Sequence, residues 1–154
     1  EGMGHIVAER LGVREISPLE LTGEDQGMPI GVGFYGELES SLDARELALL
    51  VKEKFDIGQV IYYDAGRPIS RVASCPGSGR GMLSFAKDLG ADCLITGDMG
   101  HHDGIDAAAE GITLIDAGHF GLEHIYVPYM KDFVGKHFPG LEILTDETDE
   151  RKFV

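Results

Sequence analysis

The sequence predicts a three-layer α/β/α fold built on a largely parallel sheet. Three observations predict it. From Ser70 onward, short apolar runs alternate with amphipathic stretches, the order of strands joined by helical crossovers. Gly90 and Gly111 stand directly after two of the amphipathic stretches, where helices end. The polar, glycine-bearing segments follow the strand-like runs, and in open α/β sheets such segments gather at one edge.

Each element has its own reason. Gly2–Gly12 spaces Ile6, Val7 and Leu11 as a helix does, and Gly12 closes it. Ile16–Pro29 is polar and turn-rich and reads as a loop. Pro29–Leu38 puts Val32, Phe34 and Leu38 on one alternating face, so it reads as a strand, and its glycines imply a bulge or a close backbone contact. Ser40–Phe55 is a helix: Asp43 with Glu46 forms a capping box, and Leu47, Leu50, Val51 and Phe55 form one apolar stripe. Gln59–Tyr63 is a strand, and Asp64–Pro68 the turn after it.

The regular alternation follows. Strands are expected at Ser70–Cys75, Asp92–Thr96 and Ile112–Ile115, with helices at Gly79–Leu89 and His101–Glu110 between them. His119–His137 is helical and broken near Pro128, which removes a backbone donor. Leu141–Leu144 is a last strand, and Thr145–Val154 a charged tail. No linker composition divides the chain, so residues 1–154 form one α/β region.

Composition narrows the function. The chain has 154 residues, 43% of them hydrophobic, enough for the core of one domain. Asp and Glu number 27 against 13 Lys and Arg, a net charge of −14. Such a surface repels phosphate backbones and anionic lipid, which argues against nucleic-acid and membrane partners. It suits a cation site, although simple solubility is the commoner reason for such a balance. No apolar run approaches the roughly 20 residues that span a bilayer. Cys75 and Cys93 lack a metal or disulfide spacing, so reduced thiols and a cytoplasmic setting are expected.

Three loops carry the chemistry: Cys75–Gly81, Gly97–Asp103 and Asp116–His124. In the third, His119 and Glu123 are four apart and share one helix face, where both can reach one divalent ion. An ordinary surface His–Glu pair has the same spacing, and a tight site needs three or more donors. In the second, His101 and His102 are adjacent and diverge by about 100° on a helix, so they do not face one ion together. Asp98 serves either as a helix cap or as a general acid, base or supporting group. In the first, Gly77-Ser78-Gly79 before a helix can cradle an anion or simply form a tight turn. It lacks the lysine of a P-loop. Cys75 reads as a buried strand-end thiol rather than a nucleophile.

Taken in order, Gly77-Ser-Gly79, Gly90-Ala-Asp92, Leu94-Ile-Thr-Gly-Asp98, His101-His102-Asp103 and Asp116-Ala-Gly-His-Phe120 with Glu123 resemble the dinuclear-metal-centre hexameric proteins, the GTP cyclohydrolase 1 type 2 homologues. Gly31-Val-Gly33-Phe-Tyr-Gly36-Glu-Leu38 is similar to that family's glycine-rich strand, with Phe34 where arginine is common. The resemblance covers nearly the whole chain. It implies two divalent ions per subunit, of zinc, iron or manganese type, with His119 and Glu123 as ligands. It implies further ligands, two adjacent histidines and an aspartate, in an N-terminal portion that this stretch does not include. The stretch is then the C-terminal part of a larger two-lobed metalloprotein, truncated at its N-terminus, and its metal site is incomplete.

The resemblance further implies two-metal hydrolysis of a small-molecule substrate at a cyclic amidine C–N bond, with Asp98 or His102 as proton carrier. Gly77, Ser78, Gly79 and His101 are the matching candidates for anion or substrate contact. A toroidal homohexamer is expected of the intact protein. A non-catalytic, ring-forming metal scaffold or regulator would share the same ligands.

Overall fold

The computed structural model describes residues 2–146, 148 and 149. Helix α1 (Met3–Leu11) opens the fold, followed by β1 (Arg14–Ser17), β2 (Glu20–Asp25), β3 (Met28–Val32), β4 (Phe34–Leu42) and α2 (Ala44–Lys54). Then come β5 (Ile61–Tyr63), β6 (Ile69–Ser78), α3 (Met82–Asp88), β7 (Cys93–Gly97), α4 (His101–Ala109) and β8 (Thr113–Asp116). Helices α5 (His119–Glu123) and α6 (Tyr126–His137) complete the order.

The main sheet runs β1-β4-β6-β7-β8-β5. Its centre is parallel, β6 with β7 and β7 with β8. Strands β4 and β5 pair antiparallel at its flanks, and β1 pairs antiparallel with β4. Strands β1, β6, β7 and β8 therefore point one way, and their shared direction makes the sheet largely parallel. Alternating side chains feed two separate cores, which gives the expected three layers. Val72, Cys93, Ile95 and Ile115 pack under α1, α2 and α5 with Val7, Leu47, Val51, Phe55 and Leu122. Ala73, Cys75, Leu94 and Leu114 pack on the other face under α3 and α4 with Ala86 and Ala107.

Local chemistry explains the elements. The Asp43 side chain accepts from Glu46 N at 2.7 Å, and Glu46 accepts from Asp43 N at 2.9 Å, the reciprocal box that starts α2. Gly12, at φ 72°, returns its N–H to Ala8 and Glu9 carbonyls and stops α1.

Several boundaries differ from expectation. The loop expected over Ile16–Pro29 contains most of a β-hairpin, β2 with β3. Gln26 and Gly27 both take positive φ, 50° and 81°, as a two-residue hairpin turn demands. The hairpin escapes a burial-based reading because β3 is exposed throughout. The single strand expected over Pro29–Leu38 is two strands, broken at Gly33, whose φ is 64°. A Cβ at Gly33 would strike the Ser74 carbonyl, so the expected close backbone contact is real. Helix α3 begins at Met82 rather than Gly79, because Gly81 holds φ 87° and β6 continues to Ser78. Residues 141–144 form no strand: β5 already occupies the free edge of β8, leaving them no partner there. The helix break falls at His124 and Ile125, so that Pro128 sits in the first turn of α6, where no backbone donor is required. Most of the charged tail expected over Thr145–Val154 lies outside the described residues.

Candidate metal centre

The parallel strands deliver three loops to one edge, since Ser78, Gly97 and Asp116 are the last residues of β6, β7 and β8. Absent side chains let those loops close on one another. A Cβ at Gly97 would collide with the Gly118–His119 backbone, and one at Gly79 with the buried Thr96 hydroxyl. That hydroxyl donates to the Cys75 carbonyl at 2.8 Å. Asp116 ties its own loop to the second: its carboxylate accepts from Gly118 N at 2.8 Å and from Met99 N at 2.9 Å.

His119 and Glu123 meet at this edge. The ring Nε2 of His119 lies 3.1 Å from Oε2 of Glu123, one turn along the same helix. On the other side of the ring, Nδ1 lies 2.9 Å from Oδ2 of Asp98. The imidazole is thus held between two carboxylates, and all three side chains stay open to solvent, 49%, 49% and 42% exposed for His119, Asp98 and Glu123. The Asp98 hydrogen bond, helped by the negative charge of Glu123 and Asp98, holds the His119 pKa above the ordinary imidazole range against the opposing effect of burial. Gly77 completes the setting. It has φ 81°, and a Cβ there would stand 2.7 Å from Glu123 Oε1 and 3.4 Å from His119 Nε2. Its bare Cα keeps the space beside both donors open.

The remaining candidates are placed as follows. Asp98 is bound to His119 rather than capping α4; Asp103 does that, accepting from Gly100 N at 2.9 Å. His101 and His102 begin α4 with ring centres 5.6 Å apart, and His101 Nδ1 lies 3.3 Å from the Tyr63 hydroxyl. Both line a depression with Arg80, Leu83 and Met99, whose lining includes neither His119 nor Glu123. Gly77 and Ser78 end β6, and Gly79 lies between that strand and α3. Cys75 is buried, and that burial, with the charges of Glu123 and Glu20, pushes its thiol pKa up. Among the described residues no cluster of three or more His, Cys, Asp or Glu side chains is arranged to hold an ion. No helix among them is long and apolar enough to cross a membrane.

Two site residues have roles that sequence reasoning missed. Asp116 was seen only as part of a loop, although Asp-Ala-Gly is a recognisable turn in which an aspartate accepts from the second residue on. Gly77 was read as part of an anion turn. Its proximity to the ligand pair required the third dimension.

Comparisons with known proteins show the family and the fold. A family model described as Duf34/NIF3 (NGG1p interacting factor 3) matches residues 1–151. A GTP cyclohydrolase 1 type 2 homolog of Streptococcus pneumoniae is 35% identical over 131 residues, covering 82% of this chain and 47% of that protein. One from Bacillus subtilis is 32% identical over 148 residues, covering 90% of this chain and 37% of that protein. The chain thus spans less than half the length of these two relatives. Among solved structures, a Staphylococcus aureus hypothetical protein shares the fold with a TM-score of 0.80 at 22% identity, covering 99% of this chain and 64% of that one.

Proposed function

The chain belongs to the Duf34/NIF3 family, and on that premise we propose that it supplies His119 and Glu123 as ligands of a divalent-metal site in a hydrolase of the GTP cyclohydrolase 1 type 2 kind. One observation carries the reading: an imidazole nitrogen and a carboxylate oxygen converge at 3.1 Å beside a glycine that leaves room for an ion. The donor chemistry fits zinc, iron or manganese, all of which accept imidazole and carboxylate. Two donors hold an ion only weakly, so the reading calls for further ligands and for two ions per subunit in the complete site.

Such ions supply Lewis-acid polarisation and a nucleophile from water at neutral pH. This chain's own residues do the rest. His119 and Glu123 fix the ion against the sheet edge. His102 is the group proposed for proton transfer as a cyclic amidine C–N bond opens. Gly77, Ser78, Gly79 and His101 are proposed to face the substrate or its anionic part. A cytoplasmic setting and a homohexameric ring belong to the same proposal.

A second reading, a ring-forming scaffold without catalysis, draws on a different observation. Met28, Ile30 and Val32 share one face of β3 and are 66%, 48% and 41% exposed, an apolar row suited to subunit contact. The two readings part on turnover, not on ligands.

The test is a zinc titration of the chain followed by NMR of the histidine rings. The expected result is a dissociation constant above about 1 µM, with His119 resonances moving first and the response lost in His119→Ala. Zinc binding that survives His119→Ala ends the metal reading. Stoichiometric binding tighter than that value contradicts the two-donor site.

A further inference from the structure

We infer that Asp98 is the positioning residue of this site, selecting the His119 tautomer that presents Nε2 to a cation, and not its proton carrier. The inference rests on the metal reading above and assigns a role within it. A neutral imidazole has one N–H and one bare nitrogen. A ligating Nε2 must be bare, so the proton must sit on Nδ1. A carboxylate only accepts, and Asp98 Oδ2 lies 2.9 Å from Nδ1, which favours the Nδ1–H form. Nε2 lies 3.1 Å from Glu123 Oε2, the longer of the two contacts, and a cation bound between those two atoms takes the place of a proton there while Nδ1–H keeps Asp98. A carboxylate committed to this bond is poorly placed to shuttle protons for a substrate.

The backbone supports the assignment independently. Asp98 holds φ 59°, a left-handed conformation that costs a residue with a Cβ and persists only where the surroundings enforce it. Those surroundings are visible. Asp116 ties Met99 N and Gly118 N together across the gap between the two loops, and Gly97 admits the Gly118–His119 backbone against its Cα. Both braces act on the neighbours of Asp98 and of His119, so the carboxylate and the ring are fixed to each other from both sides. Carboxylates placed behind metal-bound histidines commonly change affinity by about 10–100-fold when removed.

The experiment is Asp98→Asn, a variant of the same shape that tolerates the left-handed backbone. Two quantities are read by NMR: the nitrogen shifts of the His119 ring, taken without metal at a pH where the ring is neutral, and the zinc affinity. The wild-type ring is expected as Nδ1–H. The asparagine amide can accept from Nδ1–H or donate to bare Nδ1, so the variant is expected to show mixed tautomers and zinc affinity weaker by about tenfold or more. A wild-type ring protonated on Nε2 overturns the assignment, and so does either quantity changing without the other. Wild-type His119 resonances that ignore zinc sink the metal reading itself, a failure visible before Asp98 is altered.

Discussion

At the scale of single residues, the site is governed by where protons sit. His119 is flanked by Asp98 at 2.9 Å and Glu123 at 3.1 Å, and its folded pKa is raised, first by the Asp98 hydrogen bond. A group whose folded pKa exceeds its unfolded value stabilises the fold fully below the unfolded value and ceases to as pH climbs through the folded one. Without metal, the contribution of His119 is therefore expected to be complete in mild acid and lost as pH rises through its raised midpoint. An NMR titration of the ring checks this, and a midpoint at or below about 6.5 would contradict it. Because the three side chains are about half exposed, solvent screens the pairs and the effect on total stability is small. Buried hydroxyls follow a different rule. Thr96 is bonded to the Cys75 carbonyl, whereas buried Ser74 has no partner for its Oγ among the described residues.

At the scale of elements, short-range signals decide which segments hold and which bend. The α2 capping box satisfies two backbone donors that would otherwise be open to water. Asp43→Ala is expected to cost about 1 kcal/mol in a denaturant titration, with the sheet edge unaffected. Helices α5 and α6 show the opposite case. The ring of Pro128 would meet the carbonyl of His124 in a continuous helix, so the chain breaks just upstream. That break leaves α5 a single short helix whose first and last residues are the ligand pair. The hairpin of β2 and β3 is the element that periodicity could not find, since a two-stranded ribbon without a buried face carries no alternation of burial.

At the scale of the whole molecule, the two cores on either side of one sheet place the functional edge. Ile95 and Leu94, adjacent in β7, are both fully buried but serve opposite faces. Ile95→Ala is expected to cost about 2–5 kcal/mol by denaturant unfolding, the range for truncating a fully packed aliphatic residue. A cost below about 1 kcal/mol would mean that this layer is loosely packed. The acidic balance acts at the same scale: a net charge of −14 raises the local concentration of cations and repels polyanions, without choosing any one site.

Sequence by itself determined the alternation of strands and helices from Ser70 onward, the α2 cap, the edge where three loops gather, and the family. Those are local properties: apolar period, capping chemistry, glycine position and ordered motifs. It also placed His119 and Glu123 on one helix face, because four residues make one turn. Tertiary structure alone decided the rest. It put Asp98 behind the His119 ring, Gly77 beside both donors and Asp116 across two loops, contacts between residues from 17 to 46 positions apart in the chain. No periodicity encodes such distances; they follow from strand order in the sheet. The same order bears on residues 141–144: an apolar run becomes a strand only where it meets an edge to bond, and β5 already holds that of β8.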